Sequence, residues 1–230
     1  MMFDLCSGKP WLATGLLAVS VLILPAISAS AQSARPTFGS PDTGNYFEVV
    51  GGMAAVQNVG GLFGVGVGRH RTDRIDLVAE AVWVQDIVTR RRIGTAESLA
   101  AYLAQTQGRS VVATIDAPAW CLLTGARFFF GPAGLIRPYA SGEAGVARVT
   151  FRPTVLLAGA DVTEHLQDYG VSLGSDLTGS SFRPAFGAVV GVVVDRGRMT
   201  LDGGLRLTNI QTEGQSSRVL GAGFAIAYGF

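Results

Sequence analysis

Along most of this chain, large apolar residues recur at every second position. In RVLGAGFAIAYGF (218–230), Leu220, Ala222, Phe224, Ile226, Tyr228 and Phe230 share one face of an extended chain, and Val219, Gly221, Gly223, Ala225, Ala227 and Gly229 share the other. A period of two is the mark of a strand. Eight segments carry it: 45–57, 61–70, 74–85, 118–130, 137–150, 182–194, 199–210 and 217–230. Ordinary strands run to about five or six residues. Segments of this length suit tilted strands that cross a bilayer, which need about nine to eleven.

The two faces differ in kind. Phe47, Val49 and Met53 oppose Glu48 and Gly52; Phe63, Val65 and Val67 oppose Gly64, Gly66 and Gly68. Ile75, Leu77 and Trp83 oppose Asp76 and Glu80; Trp120, Leu122, Phe128 and Phe130 oppose Arg127. Phe182, Phe186 and Val190 oppose Arg183 and Gly187, while Met199, Leu201, Leu205 and Leu207 oppose Asp202 and Arg206. A soluble barrel keeps its apolar face inside, and a membrane barrel inverts that order. Periodicity alone does not choose between them. The strand lengths, the glycine-rich second face and the aromatics near strand ends favour the inverted order. Trp83, Trp120, Phe128 and Phe130 are the expected aromatic girdle.

The connections alternate in length. HRTDR (70–74), GPAGLIRP (131–138) and DRGR (195–198) are turn-like, whereas 86–117 and 151–181 are long. Short inner turns and longer outer loops are the habit of outer-membrane barrels. The two remaining outer connections, near 58–60 and 211–216, are short. Within the first long loop, TAESLAAYLAQTQG (95–108) predicts a helix with Leu99, Tyr102 and Leu103 at helical spacing and Gly108 as its stop. SVVATIDAP (110–118) and RPTVLLAGADV (152–162) are the places where a long loop could hide a further hairpin and raise the strand count, since each could extend a strand beyond the membrane.

Composition sharpens this reading. Charged residues are 15% of the 230, and glycine contributes 31. Both departures from soluble averages fit a barrel with an apolar exterior and a narrow interior. The net charge of +1 gives no electrostatic case for nucleic acid. Arg90, Arg91 and Arg92 in TRRRIG (89–94) form a short basic cluster, read as a solvated loop, with contact to an anionic headgroup as the alternative.

At the N-terminus, Lys9 precedes the apolar run LATGLLAVSVLILP (12–25), followed by Ala29-Ser30-Ala31. That order reads as a cleavable signal peptide over 1–31, with 32–44 a flexible lead-in and 45–230 the barrel. Cys6 would leave with the signal. Cys121 would then stand alone, without a disulfide partner.

In layout the mature chain resembles the small eight-stranded outer-membrane β-barrel proteins of the OmpA/OmpX-like type. The resemblance rests on RPYASGEAGVARV (137–149), FGAVVGVVVDRGRMTLDGGLRLTNI (186–210) and GFAIAYGF (223–230). It implies an all-β, antiparallel up-and-down transmembrane barrel in the outer membrane of a Gram-negative-type bacterium, exported through the periplasm. It also implies that Phe224, Ile226, Tyr228 and Phe230 form the strand read by the outer-membrane assembly machinery. No segment matches a peptidoglycan-binding domain.

If the inverted order holds, Glu48, Asp76, Glu80, Arg127, Glu143, Arg183, Asp202 and Arg206 all point into the lumen. Confined charges are costly unless paired, so these residues predict a salt-bridge network that fills the barrel. The alternative is a narrow, porin-like ion path.

Catalysis is not expected. His70 falls in a turn and His165 in a loop, neither beside a strand-borne Ser. Asp161, Glu164, His165 and Asp168 read as a solvated cluster, and Cys121 as a packed residue. No helix follows GVGVG (64–68), so it makes no phosphate loop. No metal or cofactor is expected. The expected partners are outer-membrane lipid and lipopolysaccharide, the assembly machinery, and an extracellular ligand of the outer loops. A structural or surface-interaction role leads, a channel follows, and a secreted ligand-binding barrel or a lipid-modifying enzyme comes last.

Overall fold

The computed structural model describes residues 44–131, 134–174, 177–212 and 215–230. The segment read as a signal peptide, and all of the lead-in but Gly44, lie outside the described residues.

Eight long strands form the ring. They are β1 (Asn45–Ala55), β2 (Val59–Thr72), β3 (Ile75–Val84), β5 (Ala119–Phe129), β6 (Ile136–Leu157), β8 (Gly179–Arg196), β9 (Met199–Thr212) and β10 (Gln215–Gly229). Each pairs antiparallel with the next, and β1 returns to β10 with Phe47 opposite Tyr228 and Val49 opposite Ile226. Closure leaves no edge in the ring. All eight segments read from the alternation are strands of this ring.

Alternation assigns the faces. On β5, Trp120, Leu122 and Phe128 are exposed while Cys121, Leu123, Arg127 and Phe129 are buried. Glycine admits the inward groups. A Cβ on Gly68 would overlap the Tyr46 ring, and one on Gly187 would come within 2.9 Å of Glu143 Oε2.

One end of the barrel is closed by tight turns. The other carries a folded cap. There β6 runs past the ring and pairs with β4 (Val111–Asp116), Val111 opposite Leu157 and Asp116 opposite Arg152. The two-residue β7 (Ala160–Asp161) folds back on β6 and leads into a 3₁₀ helix, Thr163–Tyr169. The helix α1 spans Arg90–Gln107 and ends at Gly108, whose φ of 62° takes the left-handed cap while its N–H returns to Ala104 O. Buried Leu103 packs with Val155 and Leu166, and Leu99 joins them. Tyr102, expected on the same face, is instead exposed.

The helix begins five residues before the predicted Thr95. Arg90, Arg91 and Arg92 are therefore its first turn rather than a loop, and the Arg92 guanidinium lies 3.8 Å from the centre of the Phe151 ring. No helix among the described residues is long and apolar enough to cross a membrane.

Candidate functional site

The lumen has two layers. Toward the turns it is ionic. Toward the cap it is apolar.

The ionic layer is organised around three arginines. Arg127, from β5, reaches Glu48 on β1 at 3.4 Å and Asp202 on β9 at 3.5 Å, crossing the barrel to do so. The Tyr139 hydroxyl donates to both Asp202 oxygens, at 2.9 and 2.8 Å, and the Arg127 guanidinium lies 4.6 Å from the centre of the Tyr139 ring. Arg206 pairs with Glu80, and its second terminal nitrogen lies 3.4 Å from Glu143. Ser141 donates to the other Glu143 oxygen at 2.9 Å. Nearest the turns, Arg137 lies 3.9 Å from Asp195, donates to the Asp73 carbonyl at 2.6 Å and stacks on Phe129. His70 pairs with Asp76, to which Tyr46 also donates at 3.3 Å.

Seven of the eight residues expected in a lumenal network are therefore brought together. Arg183 is not placed with them. It is half-buried, four residues along β8 from Gly187, which faces Glu143. That is roughly 13 Å of strand, farther than its side chain spans. Its Nε donates to Ser181 Oγ at 3.1 Å.

Sequence reasoning missed Tyr46, His70, Arg137, Tyr139, Asp195 and Thr200, whose hydroxyl donates to Asp195 at 3.1 Å, and these complete the layer. His70 was expected in a turn. The pairing of β2 with β3 continues through His70 opposite Asp76, so its ring is carried inside and the turn shrinks to Asp73 and Arg74.

Among the described residues, six buried carboxylates face three guanidinium groups and one imidazole in this layer. The balance is acidic. Little space is left over. A cavity of about 40 Å³ lies among Glu48, Glu80, Arg127, Tyr139, Asp202 and Arg206, and one of about 10 Å³ among Tyr46, His70, Asp76 and Arg137. A water needs about 10–15 Å³, so spaces of this size have room for a few waters.

The apolar layer lies above. Leu62, Val82, Cys121, Leu123, Ala147, Val149, Ile210 and Val219 fill the lumen, and Ile87, Val88 and Ala117 descend from the cap onto them. Asp86 fixes this descent by accepting from the Val88 and Ala117 amides at 2.9 and 3.2 Å, while Ser217 on β10 donates to the Ile87 carbonyl at 3.2 Å. Cys121 is a free, buried thiol within this layer.

Outside, the order inverts. Glu48 is 0% exposed, whereas Phe63 is 61% and Phe182 72% exposed. This is an inside-out barrel. Trp83 and Trp120 stand as register partners at the cap end, and Phe128 stands on the same strand toward the turns with Phe130 beyond it. Phe224, Ile226, Tyr228 and Phe230 form an exposed stripe along and just past β10.

No protein-family model matches the chain, and no curated protein matches it. Solved structures do. Neisserial surface protein A is 12% identical, with a TM-score of 0.49 over 81% of this chain and 96% of that one. The N-terminal β-barrel domain of Pseudomonas aeruginosa OprF is 17% identical, with a TM-score of 0.46 over 82% and 98%. Ail, the attachment invasion locus protein of Yersinia pestis, is 8% identical, with a TM-score of 0.43 over 81% and 97%.

The remaining polar cluster is small. His165 lies 3.9 Å from Asp168, both well exposed on the 3₁₀ helix. Asp161 accepts from the Thr163 amide at 2.9 Å and the Thr163 hydroxyl at 2.6 Å, and those bonds hold its carboxyl below the usual aspartate range. Among the described residues, no group of three or more His, Cys, Asp and Glu is arranged to hold a metal.

Proposed function

We propose that this chain is an integral outer-membrane β-barrel protein of a Gram-negative-type bacterium, exported through the periplasm, with a closed lumen and a non-enzymatic role exercised through its cap. The observation that carries the reading is the filling of the lumen by a paired ionic layer and, above it, an apolar layer. A barrel filled in this way passes no solute of appreciable size, so its working surface is the structured outer end. Specificity on rigid scaffolds resides in such connections. The apolar exterior supports the membrane setting, because water offers no reason to expose Phe47, Val65, Leu122, Phe186, Leu205 and Phe224 together. Lipid, lipopolysaccharide and the assembly machinery would meet that exterior, including the stripe on β10.

Two measurements test this. Expressed with its full sequence, the protein should resist carbonate extraction, need detergent for release and migrate differently on gels before and after heating. Release into aqueous buffer without detergent would overturn the membrane assignment. In planar bilayers, the purified protein should show no reproducible channels. A narrow ion path is the second reading, favoured by the acidic balance of the ionic layer. It predicts small, cation-selective events that change when Arg127 or Arg206 is replaced by Ala.

A further inference from the structure

A row of outward side chains crosses five strands at the cap end. Register places Phe63 beside Trp83, Trp83 beside Trp120, Trp120 beside Arg148 and Arg148 beside Phe182. Four members are aromatic and the fifth is an arginine. Below Arg148, the outward positions of β6 are Val146, Ala144, Gly142, Ala140, Pro138 and Ile136, with no charge among them. Arg148 is thus the first ion met on leaving the apolar belt along this strand. Above it come Thr150 and Arg152, and Thr150 Oγ1 lies 2.9 Å from Ser180 Oγ on β8.

These groups share one cleft. Trp83, Pro118, Trp120, Arg148, Thr150, Arg152 and Ser180 line a space of about 330 Å³ on the outer wall. It is far larger than either lumenal cavity. Among the described residues, neither Arg148 nor Arg152 makes an ion pair, although Asp116 stands across the ladder from Arg152. Arg148 therefore stands level with the two indoles, and the two hydroxyls and Arg152 come above that row. Tryptophan belongs at the level where acyl chain gives way to headgroup. Arginine forks match phosphate oxygens.

We infer that this cleft binds the phosphate headgroup of a membrane lipid of net negative charge. Arg148 and Arg152 take the phosphate, Thr150 and Ser180 donate to its remaining oxygens, and Trp83 and Trp120 pack on the start of the acyl chains. The inference rests on the membrane reading above and goes beyond it by naming a site and a chemistry. An anion free in solution would gain nothing from the two indoles, which is why the occupant is assigned as a lipid.

The test uses the full-length protein in phosphatidylcholine nanodiscs. Phosphatidic acid is titrated in, with diacylglycerol as the matched lipid lacking phosphate, and tryptophan emission and native mass spectrometry are followed. Phosphatidic acid should bind in preference to diacylglycerol. R148A/R152A should weaken it at least tenfold, R148K/R152K should fall between, and R69A at the turn end should leave it unchanged. Each variant is first shown to keep heat-modifiable migration, which separates failure of this site from failure of the membrane barrel itself. Equal binding by the wild type and the folded double alanine variant would overturn the proposal. So would equal binding of diacylglycerol, or displacement of the lipid by inorganic phosphate alone.

Discussion

Arg127 holds two carboxylates from opposite sides of the barrel, and both are buried. Its removal leaves Glu48 and Asp202 without their shared partner, and breaking a buried pair in this way costs about 3–5 kcal/mol. R127A should therefore lower the unfolding midpoint in denaturant sharply, with R127K recovering part of the loss. Because the pairs are shielded from solvent, molar salt should change the wild-type midpoint little. Gly68 makes a complementary prediction. A methyl group there meets the Tyr46 ring, so G68A should cost about 1–3 kcal/mol through overpacking and lower the temperature at which the gel shift occurs. Seven of the ionic residues were legible because each is a charge on the strand face opposite a run of large apolar residues. Tyr46, Arg137 and Asp195 were not, since each lies at a strand end where a polar residue reads equally well as part of a turn. His70 shows the same difficulty. HRTDR has the composition of a turn, and only pairing with β3 reveals that its first residues still belong to the strand.

Among the elements, the eight ring strands were readable because large apolar side chains alternate with small or charged ones along much of each. The apolar upper lumen was hidden by the same test. In AVWV (81–84) and WCLL (120–123) both faces are apolar, so alternation carries no sign there. The cap was half legible. Gly108 marked the end of α1, but its start was obscured by three arginines that read as solvated loop. Nothing in the local pattern identified Asp86 as the residue that seats the plug. D86A should release Ile87 and Val88 from the barrel mouth, speeding amide exchange at Val88 and Ala117 and admitting protease between β3 and β4, while leaving the strand ladders protected. Losing these hydrogen bonds at a buried amide costs about 1–3 kcal/mol. Asp161 predicts a pH response within the same cap. Its carboxyl titrates lower folded than unfolded, so its contribution is present above the ordinary aspartate range and fades as pH falls through the folded value. The Thr163 amide resonance should follow that titration and lose it in D161N.

For the whole molecule, closure and inversion together decide the setting. A closed ring satisfies every ladder within itself, as a chain in lipid must, and the apolar side groups face outward. The cap differs in construction from a set of mobile loops, since it has its own apolar cluster and a strand shared with the barrel. That strand is β6, 22 residues long, which at about 3.3 Å per residue would span roughly 70 Å fully extended. Mechanically it behaves as a mast stepped in the hull. A pull on the cap along β6 loads its ladders with β5 and β8 in shear, many bonds at once, where a tethered loop would simply pay out slack. Force applied at Leu157 against an anchored barrel should produce one high-force rupture. A graded, low-force extension would show that the cap yields before the mast does.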